Sequence, residues 1–242
     1  MPTSPFLSIV VPAYKEEKRI HKILDAVLTY QKAHDFDVEV IVVIDGSPDK
    51  TAEAAQDYKD KIPGLKIIVR KENKGKGYTV REGMLAARGE YILFADADNA
   101  TPLEQVDKLL KYKDEFPVVI GSRYCPGGKL AHGQGIVRKL GGRALNLAIR
   151  MLAVSGIADT QCGFKMFAHN AAGEIFKRLT FERFSFDIEI LAIARLHKYK
   201  IKEVGIIWYN DPHSTVSPLR DGLKMLRDAW RVRRNLAKGV YK

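Results

Sequence analysis

Residues 91–102 read YILFADADNATP, in which five consecutive apolar side chains are followed by two carboxylates one residue apart. Side chains of a strand alternate between its two faces, so Asp96 and Asp98 are expected to converge just past a strand end. Two close carboxylates repel each other, and a divalent cation with oxygen ligands would relieve that repulsion. The alternative is a turn in which Asp98 or Asn99 caps a helix that begins near Pro102.

On both sides of this stretch, short β-branched runs alternate with segments of helical periodicity. Strands are predicted over residues 6–13, 37–44, 65–70, 90–95 and 117–122, and helices over 16–32, 49–59, 77–89 and 102–112. This order predicts an α/β fold with a Rossmann-like, mostly parallel central sheet flanked by helices on both faces. Ligands of such sheets bind at the carboxyl ends of the strands.

Polar clusters follow all five predicted strands at that edge. They read PAYKEE, DGSPD, ENKGKG, DADN and GSRY in chain order. Five successive polar clusters are more than turns alone require. The pattern therefore favours a ligand site that includes Asp96 and Asp98 over the simple capping turn.

Composition limits the class of protein and of partner. The chain has 242 residues, 46% of them hydrophobic, which suits one α/β domain or one domain with an appendage. Cys125 and Cys162 have no zinc-ligand spacing and are expected to be reduced thiols of a cytosolic protein. No signal peptide is predicted, and no run approaches the ~20 apolar residues of a membrane span. The net charge of +11 favours anionic partners; no nucleic-acid partner is expected, because no recognised nucleic-acid motif is present.

Seven motifs in order resemble those of glycosyltransferase family 2 enzymes of the GT-A fold. They are VVPAYKEEKRI (10–20), VIDGSPDKT (43–51), NKGKGYTVREGM (73–84), DADNATP (96–102), GSR (121–123), DTQCGFKMF (159–167) and FSFDIEIL (184–191). The resemblance spans about residues 6–230. Within the family it is greatest to the polyprenyl-phosphate hexosyltransferases, which include dolichol-phosphate mannose synthases and dolichyl-phosphate glucosyltransferases.

The resemblance implies a role for each matching residue. Pro12, Tyr14 and Glu16 would line the nucleoside pocket, with Asp45 near the base or ribose and Lys76 and Gly77 beside the nucleotide. Asp96 and Asp98 would hold Mg²⁺ or Mn²⁺ against the diphosphate. Arg123 and Arg138 would contact phosphates, and Asp187 would act near the acceptor. A metal and arginine forks are what a diphosphate leaving group requires. From the residues alone, Asp187 and Glu189 could instead be exposed on a helix, and Cys162 is expected to be a packing residue.

The implied reaction transfers a hexose from a nucleotide-diphosphate sugar to a polyprenyl phosphate, with inversion by one in-line displacement. The motifs NKGKG and DTQCGF slightly favour the glucosyl branch, but Ile44 replaces an acid that the family usually has before the glycine of DGS, which weakens that inference. Because mannosyl transfer is at least as common among soluble members of the group, GDP-mannose is narrowly favoured over UDP-glucose. One alternative is a hexosyltransferase that acts on a glycan or glycolipid hydroxyl, with Asp159 or Asp187 as base. It arises because residues 213–215 read HST where lipid-phosphate members often have GSK. Another alternative is a non-catalytic nucleotide- or lipid-binding protein.

The C-terminal segment is predicted to be a basic amphipathic helix, with a boundary between a domain over 1–216 and a segment over 217–242. This segment holds eight Lys or Arg against two Asp, and Leu219, Leu223, Leu226 and Trp230 recur at helical spacing. The helix could pack on the domain with its basic face in solvent, or lie on an anionic membrane. Residues 139–158 are a second candidate membrane contact. The protein is expected at the cytoplasmic membrane face, peripherally associated.

Overall fold

The computed structural model describes residues 4–131, 152–209 and 218–242, with residues 218–223 described by their backbone alone. Several predictions lie outside this range. They concern Arg138, residues 139–151, residues 213–215 and the side chains of Leu219 and Leu223.

The described chain contains nine strands. They are β1 (Leu7–Ala13), β2 (Val38–Ile44), β3 (Leu65–Val69), β4 (Tyr91–Ala95), β5 (Val118–Ser122), β6 (Lys129–Leu130), β7 (Phe164–Ala168), β8 (Ile201–Gly205) and β9 (Ile207–Trp208). Seven of them form one sheet in the order β3-β2-β1-β4-β7-β5-β8, and β6 pairs with β9 in a separate two-stranded sheet. The predicted mixed α/β architecture is confirmed.

Seven α-helices connect these strands within the described ranges. They are α1 (Ile20–Ala33), α2 (Thr51–Gln56), α3 (Lys76–Ala86), α4 (Val106–Leu110), α5 (His169–Lys177), α6 (Phe186–Leu196) and α7 (Pro218–Ala237). One 3₁₀ turn, Leu103–Gln105, precedes α4. In α1 the buried residues Ile20, Ile23, Leu24 and Val27 follow the spacing of one helix face, which is why this segment folds as an amphipathic helix on the sheet.

The sheet is covered on both faces, as the continuous apolar runs predict. All seven residues of β1 and of β2 are buried. Val10 faces a core completed by α3, α5, α6 and α7. Ile9 and Val11 face a second core completed by α1, α2 and α4. The carboxyl ends of β1, β2 and β4 therefore meet at one edge between two rigid layers.

One strand departs from the predicted parallel sheet. β7 runs antiparallel to both of its neighbours: its Phe167 lies opposite Ile92 of β4 on one side and opposite Val118 of β5 on the other. It lies within the DTQCGFKMF motif, which the periodicity reading did not identify as a strand. Its insertion places residues 159–163, which precede β7, beside the end of β4.

All four predicted helices differ in their bounds from the sequence prediction; residues 49–59 give α2 over Thr51–Gln56, and residues 102–112 give the 3₁₀ turn followed by α4. The helix expected from Glu16 begins at Ile20, although the Glu16 carbonyl already accepts hydrogen bonds from the N–H groups of Arg19 and Ile20, each at 2.8 Å. The helix expected to end at Gly89 ends at Ala86. Gly89 instead packs on β1, where an added Cβ would lie 2.6 Å from the Ser8 nitrogen.

Helix α7 packs on the domain. Ala229, Val232 and Tyr241 are fully buried in the core shared with α6, and the Ser185 hydroxyl donates to the Asp228 carboxylate at 2.5 Å. The boundary predicted after residue 216 stays a prediction, although the helix beyond it shares the domain's core. Among the described residues, no helix is both long enough and apolar enough to cross a membrane.

Candidate functional site

The site begins where β4 ends. Asp96 and Asp98 follow Ala95, and Asp98 accepts a hydrogen bond from the Ala100 N–H at 3.0 Å. Asn99, which follows Asp98 in the chain, has a left-handed backbone conformation with φ of 53°. The helical turn that follows has Pro102 at its N-cap and no side-chain cap. The carboxylates are therefore not explained as helix caps, which was the alternative raised by the sequence.

Lys76, the first residue of α3, supplies positive charge to these acids. Its ammonium lies 2.6 Å from Asp96 Oδ1. Burial lowers the pKa of Lys76, but attraction to Asp96, Asp187 and Asp98 outweighs burial and raises the pKa above its ordinary value. Burial raises the pKa of Asp98, and repulsion from Asp96 raises it further. The two acids therefore form an electrostatically strained pair that a cation would stabilise.

Residues at and just beyond the carboxyl end of β1 lie beside these acids. Pro12 is buried within β1, and Tyr14 is 42% exposed just beyond it. The pKa of Glu16 is raised, mainly by burial and further by the charges of Asp98 and Asp96. The Arg19 guanidinium, 2.8 Å away, opposes this rise. Because β1 and β4 are neighbouring parallel strands, Glu16 lies near enough to Asp96 and Asp98 for their charges to influence it.

The donor set fits a hard divalent cation. Such ions prefer oxygen ligands, and magnesium keeps several waters beside one or two carboxylates and substrate phosphates. Asp96 and Asp98 supply carboxylates, and Asn99 Oδ1 is buried without a hydrogen-bond partner in the described structure. No group of three or more His, Cys, Asp or Glu in the described ranges is arranged as a metal site. Any cation here would complete its shell with water or phosphate oxygens.

Gly163 makes room for Asp96, and sequence reasoning missed this. A Cβ at Gly163 would collide with the Asp96 carboxylate, 2.6 Å from its Cγ. Gly163 immediately precedes β7, so the antiparallel strand brings it beside the end of β4. The glycine in DTQCGF was visible in the sequence, but its neighbour was not.

Asp45, predicted near the base or ribose, is 3% exposed and holds a loop of the chain itself. It accepts hydrogen bonds from Arg70 Nη2 at 2.5 Å and from the N–H groups of Lys74 and Gly75, each at 2.8 Å. These bonds fix the backbone that leads into α3 and Lys76. The structure thus gives Asp45 a positioning role, and direct nucleoside contact stays a prediction.

Gly75 and Gly77 pack closely against another part of the chain. An added Cβ at Gly75 would lie 2.5 Å from the Glu182 carbonyl oxygen, and one at Gly77 would lie 2.9 Å from the Arg183 carbonyl oxygen. Gly77 was predicted beside the nucleotide. Packing against residues 181–186, rather than approach of a phosphate, accounts for the missing side chains at both positions.

Arg123 was predicted to contact phosphate, but the anion beside it in the structure is Asp159. The Arg123 Nε and Nη2 atoms donate to the two Asp159 oxygens at 2.7 and 2.9 Å. Asp159 is fully buried. Burial raises its pKa, but Arg123 outweighs burial and lowers it. A buried, ion-paired carboxylate with a lowered pKa is a poor base, so Asp159 does not suit the role considered for it.

Asp187 and Glu189 are buried, not exposed as one sequence interpretation allowed. Asp187 is 5% exposed, and the fully buried Lys165 donates to its Oδ1 at 2.5 Å. Lys165 also donates to the Cys162 carbonyl at 2.5 Å. Burial raises the pKa of Asp187 and outweighs the attraction to Lys165 and Lys76, so this pKa lies above its ordinary value. Lys165 was missed; its only sequence signal is a charge inside the apolar strand FKMFA.

Glu189 and Cys162 have structural roles. The fully buried Glu189 accepts hydrogen bonds from the Thr180 hydroxyl at 2.5 Å and the Phe181 N–H at 2.8 Å. Burial raises the pKa of the Cys162 thiol to about 12. Cys162 therefore stays protonated at neutral pH, and its predicted role in packing is consistent with its 2% exposure.

The exposed face of α7 carries Trp230 and several basic residues. Trp230 is 55% exposed, and the Arg234 guanidinium lies 5.5 Å from its ring centroid. Leu226, expected beside Trp230 on a lipid-facing stripe, instead packs against the core. In the second candidate membrane segment, Val154 and Ile157 are also buried. Of these described apolar residues, Trp230 is exposed, Leu226 is partly buried, and Val154 and Ile157 are buried.

Comparisons with known proteins agree with this architecture. The model of the family described as Glycosyl transferase family 2 matches residues 8–174. The human protein named dolichyl-phosphate beta-glucosyltransferase is 36% identical, over 98% of this chain and 77% of its own length. Proteins of the same name from Dictyostelium discoideum and Saccharomyces cerevisiae are 33% and 32% identical, each over 98% of this chain and over 76% and 77% of their own lengths.

Solved structures show the same fold. Glucosyl-3-phosphoglycerate synthase from Mycobacterium tuberculosis, in complex with Mn²⁺, UDP and glucosyl-3-phosphoglycerate, superposes with a TM-score of 0.66 at 22% identity, over 94% of this chain and 78% of that one. Mannosyl-3-phosphoglycerate synthase from Rubrobacter xylanophilus gives 0.67 at 19% identity, over 97% and 75% of the two chains. The predicted GT-A fold, with a C-terminal helix, is confirmed.

Proposed function

Because this chain belongs to glycosyl transferase family 2, we propose that it transfers glucose from UDP-glucose to a polyprenyl phosphate with the help of Mg²⁺ or Mn²⁺. The observation that carries the proposal is the pair Asp96 and Asp98 at the carboxyl end of β4, in the edge where such sheets bind ligands. Relatives that match 98% of the chain are named dolichyl-phosphate beta-glucosyltransferases. Their names support both the sugar and the acceptor class.

The preference for GDP-mannose expected from the sequence is not supported, because these relatives are named glucosyltransferases. That expectation used Ile44 as a sign of an altered base pocket. Ile44 is the last residue of β2, is 1% exposed and pairs with Ala13 and Val69 inside the sheet. Its apolar side chain suits this core position, so it carries little information about the nucleotide base.

The acceptor follows from the state of the nearby carboxylates. A sugar hydroxyl needs a base to remove its proton, whereas a phosphate is already anionic near neutral pH. Asp159 and Asp187, the candidate bases, are both buried and ion-paired, with Arg123 and Lys165 respectively. The lowered pKa of Asp159 and the names of the relatives favour a phosphate acceptor over the glycan or glycolipid hydroxyl. The family membership favours an enzyme over a non-catalytic binding protein.

The remaining residues would position the donor. When bound, the divalent cation would supply positive charge against the leaving diphosphate. Pro12, Tyr14 and Glu16 would form the nucleoside side of the pocket, while Asp45 and the packed Gly77 hold the backbone that presents Lys76. Arg123 would shape the phosphate side through Asp159, and Arg138, outside the described residues, would contact phosphate directly. Positioning and charge would then account for most of the rate.

We place the reaction at the cytoplasmic face of a membrane, since a polyprenyl phosphate is fixed in a bilayer. The exposed face of α7 supports peripheral docking there. It combines Trp230, a residue suited to the interface, with Arg227, Arg231, Arg233 and Arg234, all exposed. Each basic residue near an anionic leaflet contributes about 1 kcal/mol. Together they give reversible binding.

Metal dependence tests the proposal. EDTA should abolish glucosyl transfer and added Mg²⁺ or Mn²⁺ should restore it. Asp98→Asn should lower kcat by roughly 10²-fold or more, since several kcal/mol of charge stabilisation depend on the metal. Asp114→Asn is the matched control, because the Asp114 side chain is 83% exposed and far from these contacts. Full activity after exhaustive metal removal would contradict the proposal.

A further inference from the structure

Lys76 occupies a carboxylate that the proposed metal needs. Its ammonium lies 2.6 Å from Asp96 Oδ1, and its side chain retains 24% exposure. Asp98 and Asp187 also attract it. A charge-assisted hydrogen bond of this length uses the Asp96 oxygen as an acceptor. A divalent cation bound to Asp96 at about 2.0–2.5 Å would lie close to this ammonium, and the two positive charges would repel each other.

We propose that Lys76 is a built-in counter-ion that the divalent cation displaces from Asp96 and that then binds the diphosphate of the nucleotide sugar. The inference rests on the proposed function. Without a metal, Lys76 offsets the repulsion among the acids. When the metal arrives alone, the displaced ammonium loses its partner, so metal binding is weak. When the diphosphate arrives as well, the ammonium gains an anionic partner, so metal and nucleotide bind cooperatively.

The chain around Lys76 is built to let the side chain move while its backbone stays fixed. Asp45 binds the N–H groups of Lys74 and Gly75, and Gly75 and Gly77 pack against residues 181–186 without room for a Cβ. The backbone at Lys76 is thus held on both sides. The flexible four-carbon stem of lysine carries a compact charge that can change partners.

Asp187 does not offer the displaced ammonium a full alternative partner. Its Oδ1 already accepts a hydrogen bond from Lys165 at 2.5 Å, and it is 5% exposed. Asp187 attracts Lys76 by charge alone, whereas Asp96 both attracts it and accepts its hydrogen bond. This arrangement leaves the incoming diphosphate as the anion that captures Lys76.

The test measures Mn²⁺ binding to the full chain by electron paramagnetic resonance, with and without saturating UDP. Lys76→Met should bind Mn²⁺ alone about tenfold more tightly than the wild type, and the enhancement by UDP should shrink by a similar factor. Coupling between two ligands is typically 5–150-fold. Lys76→Arg keeps a competing cation, so its Mn²⁺ affinity without UDP should stay weak.

Lys74→Met is the matched control. Lys74 is exposed, with its ammonium over the Tyr78 ring at 4.8 Å, so its removal should leave Mn²⁺ binding unchanged. Thermal unfolding of every variant verifies that the fold is retained. If the wild type binds Mn²⁺ but Lys76→Met binds it no more tightly, the displacement is refuted while the proposed function stands. If the wild type binds no Mn²⁺ with or without UDP, the proposed metal site fails and the inference fails with it.

Discussion

Replacing Lys165 by methionine tests how the structure supports the floor of the site. The substitution keeps a long apolar side chain but removes an ammonium that lies 2.5 Å from Asp187 Oδ1 and 2.5 Å from the Cys162 carbonyl. Lys165 is fully buried and Asp187 is 5% exposed. The substitution therefore leaves a carboxylate without its partner in a medium of low dielectric constant.

The cost follows from that burial. Removing one partner of a buried ion pair typically destabilises a protein by about 3–5 kcal/mol. For a chain of this size each kcal/mol lowers the Tm by about 2–4 °C, so the loss should be roughly 6–20 °C. Removing both charges is often neutral. The double variant Lys165→Met with Asp187→Leu should therefore recover most of the lost stability.

The loss should depend on pH in a defined direction. Burial raises the pKa of Asp187, and Lys165 opposes this, so removing Lys165 raises the pKa further. An acid whose pKa is higher in the folded than in the unfolded state takes up a proton more readily when folded. Lower pH therefore stabilises the fold. The deficit of Lys165→Met should shrink as the pH falls from 8 to 5.

Urea unfolding followed by circular dichroism at pH 8 and pH 5 measures these differences. Lys113→Met is the control, because Lys113 pairs with an Asp114 side chain that is 83% exposed, and such surface pairs contribute about 0–1 kcal/mol. If Lys165→Met were as stable as Lys113→Met at pH 8, or the double variant no more stable than Lys165→Met, the buried ion pair would not have the stabilising role assigned to it.

Three other changes have defined outcomes. Gly163→Ala pushes a methyl group into the Asp96 carboxylate and should weaken Mn²⁺ binding by about 10–100-fold in calorimetry. Gly173→Ala, with open space around it, should not. Burial raises the pKa of Glu39, but four hydrogen bonds outweigh burial and lower it from 4.5 to about 2, so its stabilising effect is present above pH 4.5 and is lost as the pH falls towards 2. Glu39→Gln should therefore cost about 3 kcal/mol at pH 7 in urea unfolding and little at pH 2; an equal loss at both would contradict this. Changing Arg231, Arg233 and Arg234 to Gln should weaken co-sedimentation with anionic vesicles, with UDP affinity unchanged; equal vesicle binding would place the membrane contact elsewhere.

Local sequence patterns were sufficient to predict those parts of the fold that depend on residues close together in the chain. The alternation of apolar strands and amphipathic helices predicted the parallel strands β1 to β4. The acids after β4 predicted where Asp96 and Asp98 would lie. These features depend on side-chain periodicity and on which end of a strand carries polar groups, and both can be recognised within a stretch of a few residues.

The features that were missed depend on contacts between distant parts of the chain. Lys165 meets Asp187, 22 residues away, and Arg123 meets Asp159, 36 residues away. Neither pairing is visible in a local pattern, so the bond between Arg123 and Asp159 was not predicted, while the phosphate contact of Arg123 stays a prediction. The antiparallel β7 has the same cause, because strand pairing is decided by the whole sheet and not by the strand's own sequence.

Helix α7 shows how tertiary packing selects one face of an amphipathic helix. The spacing of its leucines and Trp230 was recognised, but the face that packs on the domain includes Asp228 and Asn235, two polar residues that are buried. Their hydrogen bonds, to Ser185 and to the Tyr241 hydroxyl, make burial possible. A pattern of hydrophobic residues alone could not show this.

The most direct test of the proposed activity offers the purified chain four combinations of substrate in the presence of Mg²⁺. UDP-glucose and GDP-mannose, each labelled in the sugar, are supplied with dolichyl phosphate or with a soluble sugar acceptor. The lipid and aqueous products are then separated, and the labelled sugar in each is measured. We expect transfer from UDP-glucose to dolichyl phosphate, its loss in EDTA and in Asp98→Asn, and little transfer in the other three combinations. Greater transfer from GDP-mannose, transfer only to the soluble sugar, or no transfer from UDP-glucose would contradict the proposed activity.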